Sequence, residues 1–461
     1  MAIFALVSCP RQAPRGRPAG YAPAMASIVV VGGGIAGLAC AWRLSRVGHD
    51  VEVLEREPKA GGRMRSERHG EFVLDRGAQF IASGYRNLHA VTRAVGLEDK
   101  VRPLARSDNA ILRDGRLHRG DYGSPLQLLA SRLLSAPAKA RLPRLLFEVA
   151  RHRRRLDPLR PELAAALDRE DLATGLIRLV GDEAFEYLLA PGFSSTFDSD
   201  PEDLSLAFGL LALRFVAGGF RLQCFEGGTG LLTQTLAREL PVRTGCEAIA
   251  VETESEGARV RYRSRGREGS VLADAAVVAL PGSLVAGVCP KLTPDERGFF
   301  EQVRYVRGMI VHMMLERAPA TLPYYGVAFP RREGLDLYGL AVDHHKPGVA
   351  PPGGGLVNAA LTARAAARLW DAPDAEIAGV VVENLARTPI GRLKPADAVV
   401  HRWSPMLPQL YAGYLPRLAR FQSRLERSPR LAFAGDYLVG PYTEAALTSG
   451  LRAATEIARG L

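Results

Sequence analysis

Residues 27–63 read SIVVVGGGIAGLACAWRLSRVGHDVEVLEREPKAGGR: a strand, a glycine turn, a helix and a second strand, in the order that holds a dinucleotide. Ile28 to Val31 form a β-branched run suited to a parallel strand buried on both faces. Gly32, Gly34 and Gly37 then follow the spacing G-x-G-x-x-G. The first allows the tight turn, the second lets backbone approach a pyrophosphate, and the third lets helix and strand pack closely. Ile35 and Ala36 open the helix, whose free N–H groups attract phosphate charge. Strand two, Val51 to Leu54, ends in Glu55, an acid placed to accept hydrogen bonds from ribose hydroxyls.

The residues after Glu55 add a second glycine pair and a cation, Lys59-Ala60-Gly61-Gly62-Arg63, for which a plain NAD domain has no need. Here the sequence resembles the flavin-containing amine oxidase superfamily, which includes monoamine and polyamine oxidases, protoporphyrinogen oxidases and phytoene-type desaturases. The resemblance implies that Glu55, Gly61, Gly62 and Arg63 close over FAD. Many members carry Arg two residues after the acid, where this chain has Glu57; Arg56 is the alternative adenosine contact.

The same resemblance extends along the chain. In EFVLDRGAQFI, 71–81, it places Gly77, Ala78, Gln79 and Phe80 beside the isoalloxazine ring. It puts Ala248 at the adenine edge, and Ala279 and Pro281 at a strand end of the small-x-Pro type. HRWSPMLPQLYAGYLPRLARF, 401–421, resembles a segment of bacterial protoporphyrinogen oxidases and sets Trp403 near the flavin. LAFAGD, 431–436, implies that Gly435 and Asp436 meet the ribityl chain, and that a helix starting near Thr443, Glu444 and Ala445 points at the pyrimidine end. A helix N-terminus there favours the negative charge of reduced flavin. Several amine oxidases hold a lysine near flavin N5, and Tyr305-Val-Arg-Gly-Met-Ile310 offers Ile310 instead. That moves weight from amine oxidation toward desaturase or porphyrinogen chemistry. With no cysteine after Cys289, the C-terminal covalent flavin link of monoamine oxidases cannot form, so the expected FAD is noncovalent.

Composition bounds the rest. A chain of 461 residues with 47% hydrophobic content suits two or three domains. Five scattered cysteines and nine histidines show no ligand spacing, which implies no metal and a reducing, cytoplasmic setting; His344-His345 reads as a solvated loop pair. The net charge of +11 is concentrated in 102–160, where 14 Lys and Arg face five Asp and Glu. A solvated helical face is the plain reading, a peripheral contact with an anionic membrane the sharper one; no aromatic-studded module points to nucleic acid. No run of 18 apolar residues predicts a spanning helix.

The expected architecture is α/β: a Rossmann-like FAD-binding domain from 26–83, 226–284 and 421–461, with an inserted α+β substrate domain, 84–225 and 285–420. That insert carries a helical subdomain at about 125–216, including a buried apolar helix in 205–220, and residues 1–25 form a disordered extension. Tyr85 to Leu97 predicts an amphipathic helix, Asp114-Gly115 a hairpin turn, and Pro241 to Val251 one strand. The expected reaction removes hydride from a hydrophobic or polycyclic small molecule to form C=C or C=N. Amine oxidation is the alternative, and a membrane-associated protein with a structural flavin is the reading from another class. Gln79, His312, Trp403 and Tyr437 are the candidate catalytic pocket residues, without an evident acid–base pair. The sequence leaves the oligomeric state open.

Overall fold

The computed structural model describes residues 25–104, 108–119, 130–219, 221–424 and 428–461; the expected disordered extension up to Ala24, and the ends of the 125–216 and 205–220 readings at Pro125 and Phe220, lie outside them. A five-stranded parallel sheet runs in the order Val242–Thr244, Asp50–Glu55, Ser27–Val31, Ala275–Val278, Leu431–Phe433. Its central strand is buried from Ile28 onward, as its β-branched run requires. The helices Ile35–Arg46 and Thr443–Gly460 cross with almost no separation at Gly450, where a Cβ would fall on the Ala36 carbonyl oxygen. An antiparallel sheet of Cys246–Glu254, Gly257–Ser264 and Arg267–Ala273 accompanies this unit. The predicted single strand 241–251 is therefore two strands, broken where Gly245 takes φ +65°. In that conformation the chain leaves the parallel sheet and starts the antiparallel one.

A seven-stranded sheet forms the second unit, in the order Asp397–Trp403, Gly308–Leu315, Gly355–Leu361, Leu337–Ala341, Gly326–Ala328, Asn109–Arg113, Arg116–Arg119. The last two make the predicted hairpin, with Asp114 and Gly115 both at positive φ. One face of this sheet, with Met309, Val311, Met313, Val357 and Val400, packs on helix Asp374–Ala386. The opposite face carries Ile310, His312, Asn358, His401 and Trp403, brought level by antiparallel register: His312 opposes Asn358 and Ile310 opposes His401.

Helices Ala136–His152, Leu172–Val180, Ala190–Phe197 and Leu206–Ala217 supply the third layer. Leu206 to Leu211 are buried, as the apolar run predicts, while the second half of that helix is less covered. Helix Ala190–Phe197 lies against the seven-stranded sheet, with Ser195 filling the space a Cβ on Gly339 would need. A short sheet of Ile81–Ala82, Leu222–Phe225 and Val101–Pro103 ties the layers together. Among the described residues no helix is long and apolar enough to cross a membrane.

Candidate functional site

The glycine turn divides its roles as its spacing requires. A Cβ on Gly32 would lie 2.6 Å from the Ala279 carbonyl oxygen, and one on Gly37 would fall on that of Gly32, so both positions are closed. A Cβ on Gly34 would meet nothing within 4 Å, which leaves a hollow at the helix start where a pyrophosphate can approach. Gly61 pairs with Gly34 through a parallel bridge, its N–H donating to the Gly33 carbonyl at 2.8 Å, while Gly62 lies against the Gly34 Cα. The second glycine pair thus walls the hollow.

Glu55 is buried at the end of its strand. Its Oε2 accepts the Gly33 N–H at 2.6 Å and its Oε1 that of Glu57 at 2.7 Å. Each oxygen keeps a further lone pair for a hydroxyl. Arg56 points to solvent beside Glu57, at 3.5 Å. Ala248 sits at a bulge of its strand, and Pro281 caps helix Gly282–Val288.

Residues far apart in the chain converge on Asp436. Arg63 Nη1 donates to Asp436 Oδ2 at 2.7 Å and to the Met406 carbonyl at 2.5 Å, and the Tyr305 hydroxyl donates to Asp436 Oδ1 at 2.9 Å. Burial works against the Arg63 charge, but Asp436 and then Tyr305 outweigh it and hold the guanidinium above its ordinary range. Gly435 donates its N–H to Ser449, which anchors the strand end to the last helix. Thr443, at the first residue of that helix, has a buried hydroxyl with no hydrogen-bond partner among the described residues, and Ala445 is fully buried behind it. An open cradle at Gly34 and an orphaned hydroxyl at the Thr443 helix start are what a bound dinucleotide with a flavin end would fill.

The 75–80 segment is held from several sides. Gly77 has no room for a side chain against the Arg63 carbonyl, and Ala78 donates its N–H to the same oxygen at 2.9 Å. Trp403 Nε1 donates to the Arg76 carbonyl at 2.7 Å. Gln79 donates through Nε2 to the carbonyls of Asp75 and Gly77, and its Oε1 accepts from Lys346 at 3.1 Å and Asn358 at 3.0 Å. Phe80 packs beside Leu104, Cys224 and Tyr325.

Lys346 is the residue the sequence reading missed. Its side chain is 1% exposed, and Nζ meets Asp343 at 2.7 Å and Asp75 at 3.0 Å. Asp75 also accepts from Ser66, Thr229 N–H and Thr229 hydroxyl; Asp343 accepts from Asn358 at 2.6 Å. Burial opposes the Lys346 charge, yet the two aspartates hold it well above the usual lysine range. The signal available was Lys-Pro after an acid and two histidines. His344 and His345 are themselves not a solvated pair: both are partly buried and bond the carbonyls of Leu356 and Leu322, because the turn is packed into the sheet.

Two other expectations are corrected. Glu444 faces away from the cofactor cradle, accepting the N–H groups of Asn87 and Leu88 at the start of helix Arg86–Ala94, whose first N–H groups lack an intrahelical partner. Tyr437 is no pocket residue; its ring is fully buried among Phe299, Phe300 and Tyr414, an aromatic core under the strand end.

His312, fully buried near the Asp75 backbone, makes no well-formed hydrogen bond from either ring nitrogen among the described residues and stands edge-on to His401, with centroids 5.1 Å apart. Burial, reinforced by the Lys346 cation, pushes His312 down to about 3, and burial and His312 push His401 down to about 3. Unfolded, both titrate near 6.5. Stability present above that pH is therefore lost as pH falls toward 3, because only the unfolded chain takes up these protons. The expected slope is about 1.4 kcal/mol per pH unit for each histidine. Urea midpoints from pH 6.5 to 4 should fall more gently in His401→Leu than in the wild type; equal slopes would refute the assignment.

The sequence profile described as flavin containing amine oxidoreductase matches residues 35–458. A mitochondrial protoporphyrinogen oxidase of Nicotiana tabacum is 24% identical over 93% of this chain and 94% of its own length. A coproporphyrinogen III oxidase of Mycobacterium bovis is 26% identical over 94% and 98%. Among solved structures, a putative protoporphyrinogen oxidase from Exiguobacterium sp. 255-15 superposes with a TM-score of 0.75 at 21% identity, covering 94% of this chain and 99% of that one.

Proposed function

This chain belongs to the flavin containing amine oxidoreductase family, and from that premise we infer that it is an oxidase holding noncovalent FAD and acting on a porphyrinogen. The observation that carries the cofactor reading is the meeting of Arg63 and Asp436, 373 residues apart in sequence, at 2.7 Å beside the open turn at Gly34. Glu55 would hold the adenosine ribose, the 34–37 helix start and Arg63 the pyrophosphate, Asp436 the ribityl chain, and Gly77-Ala78 the ring edge. FAD, when bound, supplies the acceptor for a hydride and its electron pair. The protein's own part is to orient and to exclude water. Trp403 and Gln79 fix the 75–80 segment, and Ile310 packs beside Trp403. The porphyrinogen reading draws on relatives matched over nearly their whole length, and the absence of cysteine after Cys289 supports a noncovalent flavin.

Acid precipitation of the purified protein should release FAD into the supernatant. Anaerobic protoporphyrinogen or coproporphyrinogen should bleach the flavin band within a turnover. Bleaching by simple amines alone would instead establish amine oxidation, and bleaching only by dithionite would leave the flavin structural.

A membrane contact is a second, separate reading, resting on Leu146 and Phe147, 61% and 65% exposed on helix Ala136–His152 and flanked by Arg141, Arg144 and Arg151. Co-sedimentation with anionic but not neutral vesicles, lost in a Phe147→Ser variant, is its expected result.

A further inference from the structure

A cavity of about 250 Å³ lies where the start of helix Arg86–Ala94, the middle of helix Thr443–Gly460 and the 157–160 turn meet. Two bonds tie that turn to the last helix. The Tyr442 hydroxyl donates to the Pro158 carbonyl at 2.5 Å, and Arg452 Nη2 donates to the Leu159 carbonyl at 2.8 Å. The cavity therefore spans the joint between the helical layer and the dinucleotide-binding unit. Glu444 already takes the N–H groups of Asn87 and Leu88, so the donors that the cavity offers are side chains.

Those donors outnumber their acceptors. Arg86, Arg160 and Arg452 line the cavity together with Asp157, so its charged side chains sum to +2. Arg86 makes no side-chain hydrogen bond or ion pair among the described residues. Arg452 is partly buried, and the Leu159 carbonyl is its one acceptor among them. Burial lowers its guanidinium from the ordinary range, and Glu162 and Asp157, neither within ion-pair distance, do not make that up. Arg160 reaches Glu162 through a single long contact of 3.4 Å. Asp157 Oδ1 is engaged within its own turn, accepting the Leu159 N–H at 3.0 Å. Thr448 is buried; its hydroxyl accepts from Asn87 Nδ2 at 2.8 Å, while its own proton has no acceptor among the described residues. Enclosed donors without acceptors are unfavourable, and an acceptor carrying negative charge relieves them.

We propose that this cavity binds a phosphate monoester, whose oxygens accept from Arg86, Arg160, Arg452 and Thr448, and that its occupancy fastens the helical layer to the dinucleotide-binding unit. Such a group carries about −1.5 to −2 at neutral pH, which matches the charge of the lining. Its oxygens suit the planar forks of several guanidinium groups at once, whereas a carboxylate brings two oxygens and a single charge. The space exceeds what inorganic phosphate needs, and Leu159 and Leu451 give the organic part of the ester an apolar wall. None of these residues belongs to the cradle assigned to FAD, so the site stands whether or not the substrate is a porphyrinogen.

The test uses the FAD-loaded protein in a buffer without phosphate, titrated by calorimetry with glycerol 3-phosphate, inorganic phosphate and succinate. Glycerol 3-phosphate is expected to bind at least tenfold more tightly than succinate and more tightly than inorganic phosphate, and to raise the melting temperature at saturation. Arg86→Gln, a change at an exposed side chain, should weaken it at least tenfold with unchanged flavin content and unchanged melting of the free protein. Arg452→Gln should abolish the ligand-dependent rise in melting temperature. Arg154→Gln, in the neighbouring basic run, should change affinity less than twofold. Vesicles of phosphatidic acid distinguish the source of the ester: binding to them that glycerol 3-phosphate competes away assigns a lipid headgroup, and tight soluble binding without vesicle binding assigns a free metabolite. No binding of glycerol 3-phosphate at millimolar concentration, or succinate binding as tightly, would overturn the proposal. So would an Arg154→Gln loss equal to that of Arg86→Gln, which would show a diffuse attraction rather than a site.

Discussion

Replacing Lys346 with methionine is expected to destabilise the protein by about 3–5 kcal/mol, the usual cost of removing one partner from a buried ion pair. Asp75 and Asp343 would be left as neighbouring buried carboxylates, and Asp343 is already driven upward by burial, with Lys346 the main force opposing that shift. Methionine fills the space but donates nothing, so Gln79 also loses a donor. Lys346→Arg keeps the charge and should recover part of the loss. Denaturant melts followed by flavin fluorescence and far-ultraviolet dichroism decide the matter. A methionine variant within 1 kcal/mol of wild type would show that the lysine is not holding the two aspartates.

The second large effect contrasts two glycines three residues apart. Gly37→Ala drives a methyl into the Gly32 backbone, where no flexible side chain can yield, so helix and strand must separate. The expected loss is about 3 kcal/mol, at the upper end for overpacking, with little flavin retained. Gly34→Ala meets open space and should leave stability within about 0.5 kcal/mol, since the position lies at the helix start. It should still purify without flavin, because the methyl occupies the pyrophosphate hollow. Comparing melting with the absorbance ratio at 450 and 280 nm separates the two; a Gly34→Ala protein retaining full flavin would sink the placement of the phosphate.

What the sequence made legible follows from how local the determinants are. The turn at Gly32 to Gly37, the acid Glu55 and the strand before Asp436 are runs of adjacent residues whose backbone demands are written in their own spacing, and the parallel sheet follows from them. Gly308 to Leu315 is different: all eight residues are buried, so alternation is hidden, and only the register with Asn358 and His401 shows which face is polar. Lys346 resisted prediction for a related reason. A lysine in a Gly- and Pro-rich stretch reads as solvated, and its burial depends on Asp75, 271 residues earlier. Glu444 was misread because its partners, the free N–H groups of Asn87 and Leu88, belong to a helix whose docking onto the last helix is a tertiary fact.

The placement of strand Leu431–Phe433 bears on how the chain is made. That strand completes one side of the parallel sheet, and the helix after it presses on the first helix at Gly450. A ribosome reaches Asp436 only after about 370 further residues have followed Arg63, so the emerging glycine turn waits without its far wall while the intervening layers assemble. Pairings of such long sequence separation form late. Capture of flavin should therefore coincide with release of the finished chain. Ribosome-stalled chains ending before residue 431 would carry none, and cells short of flavin would accumulate a protein whose first and last helices lack their common ligand.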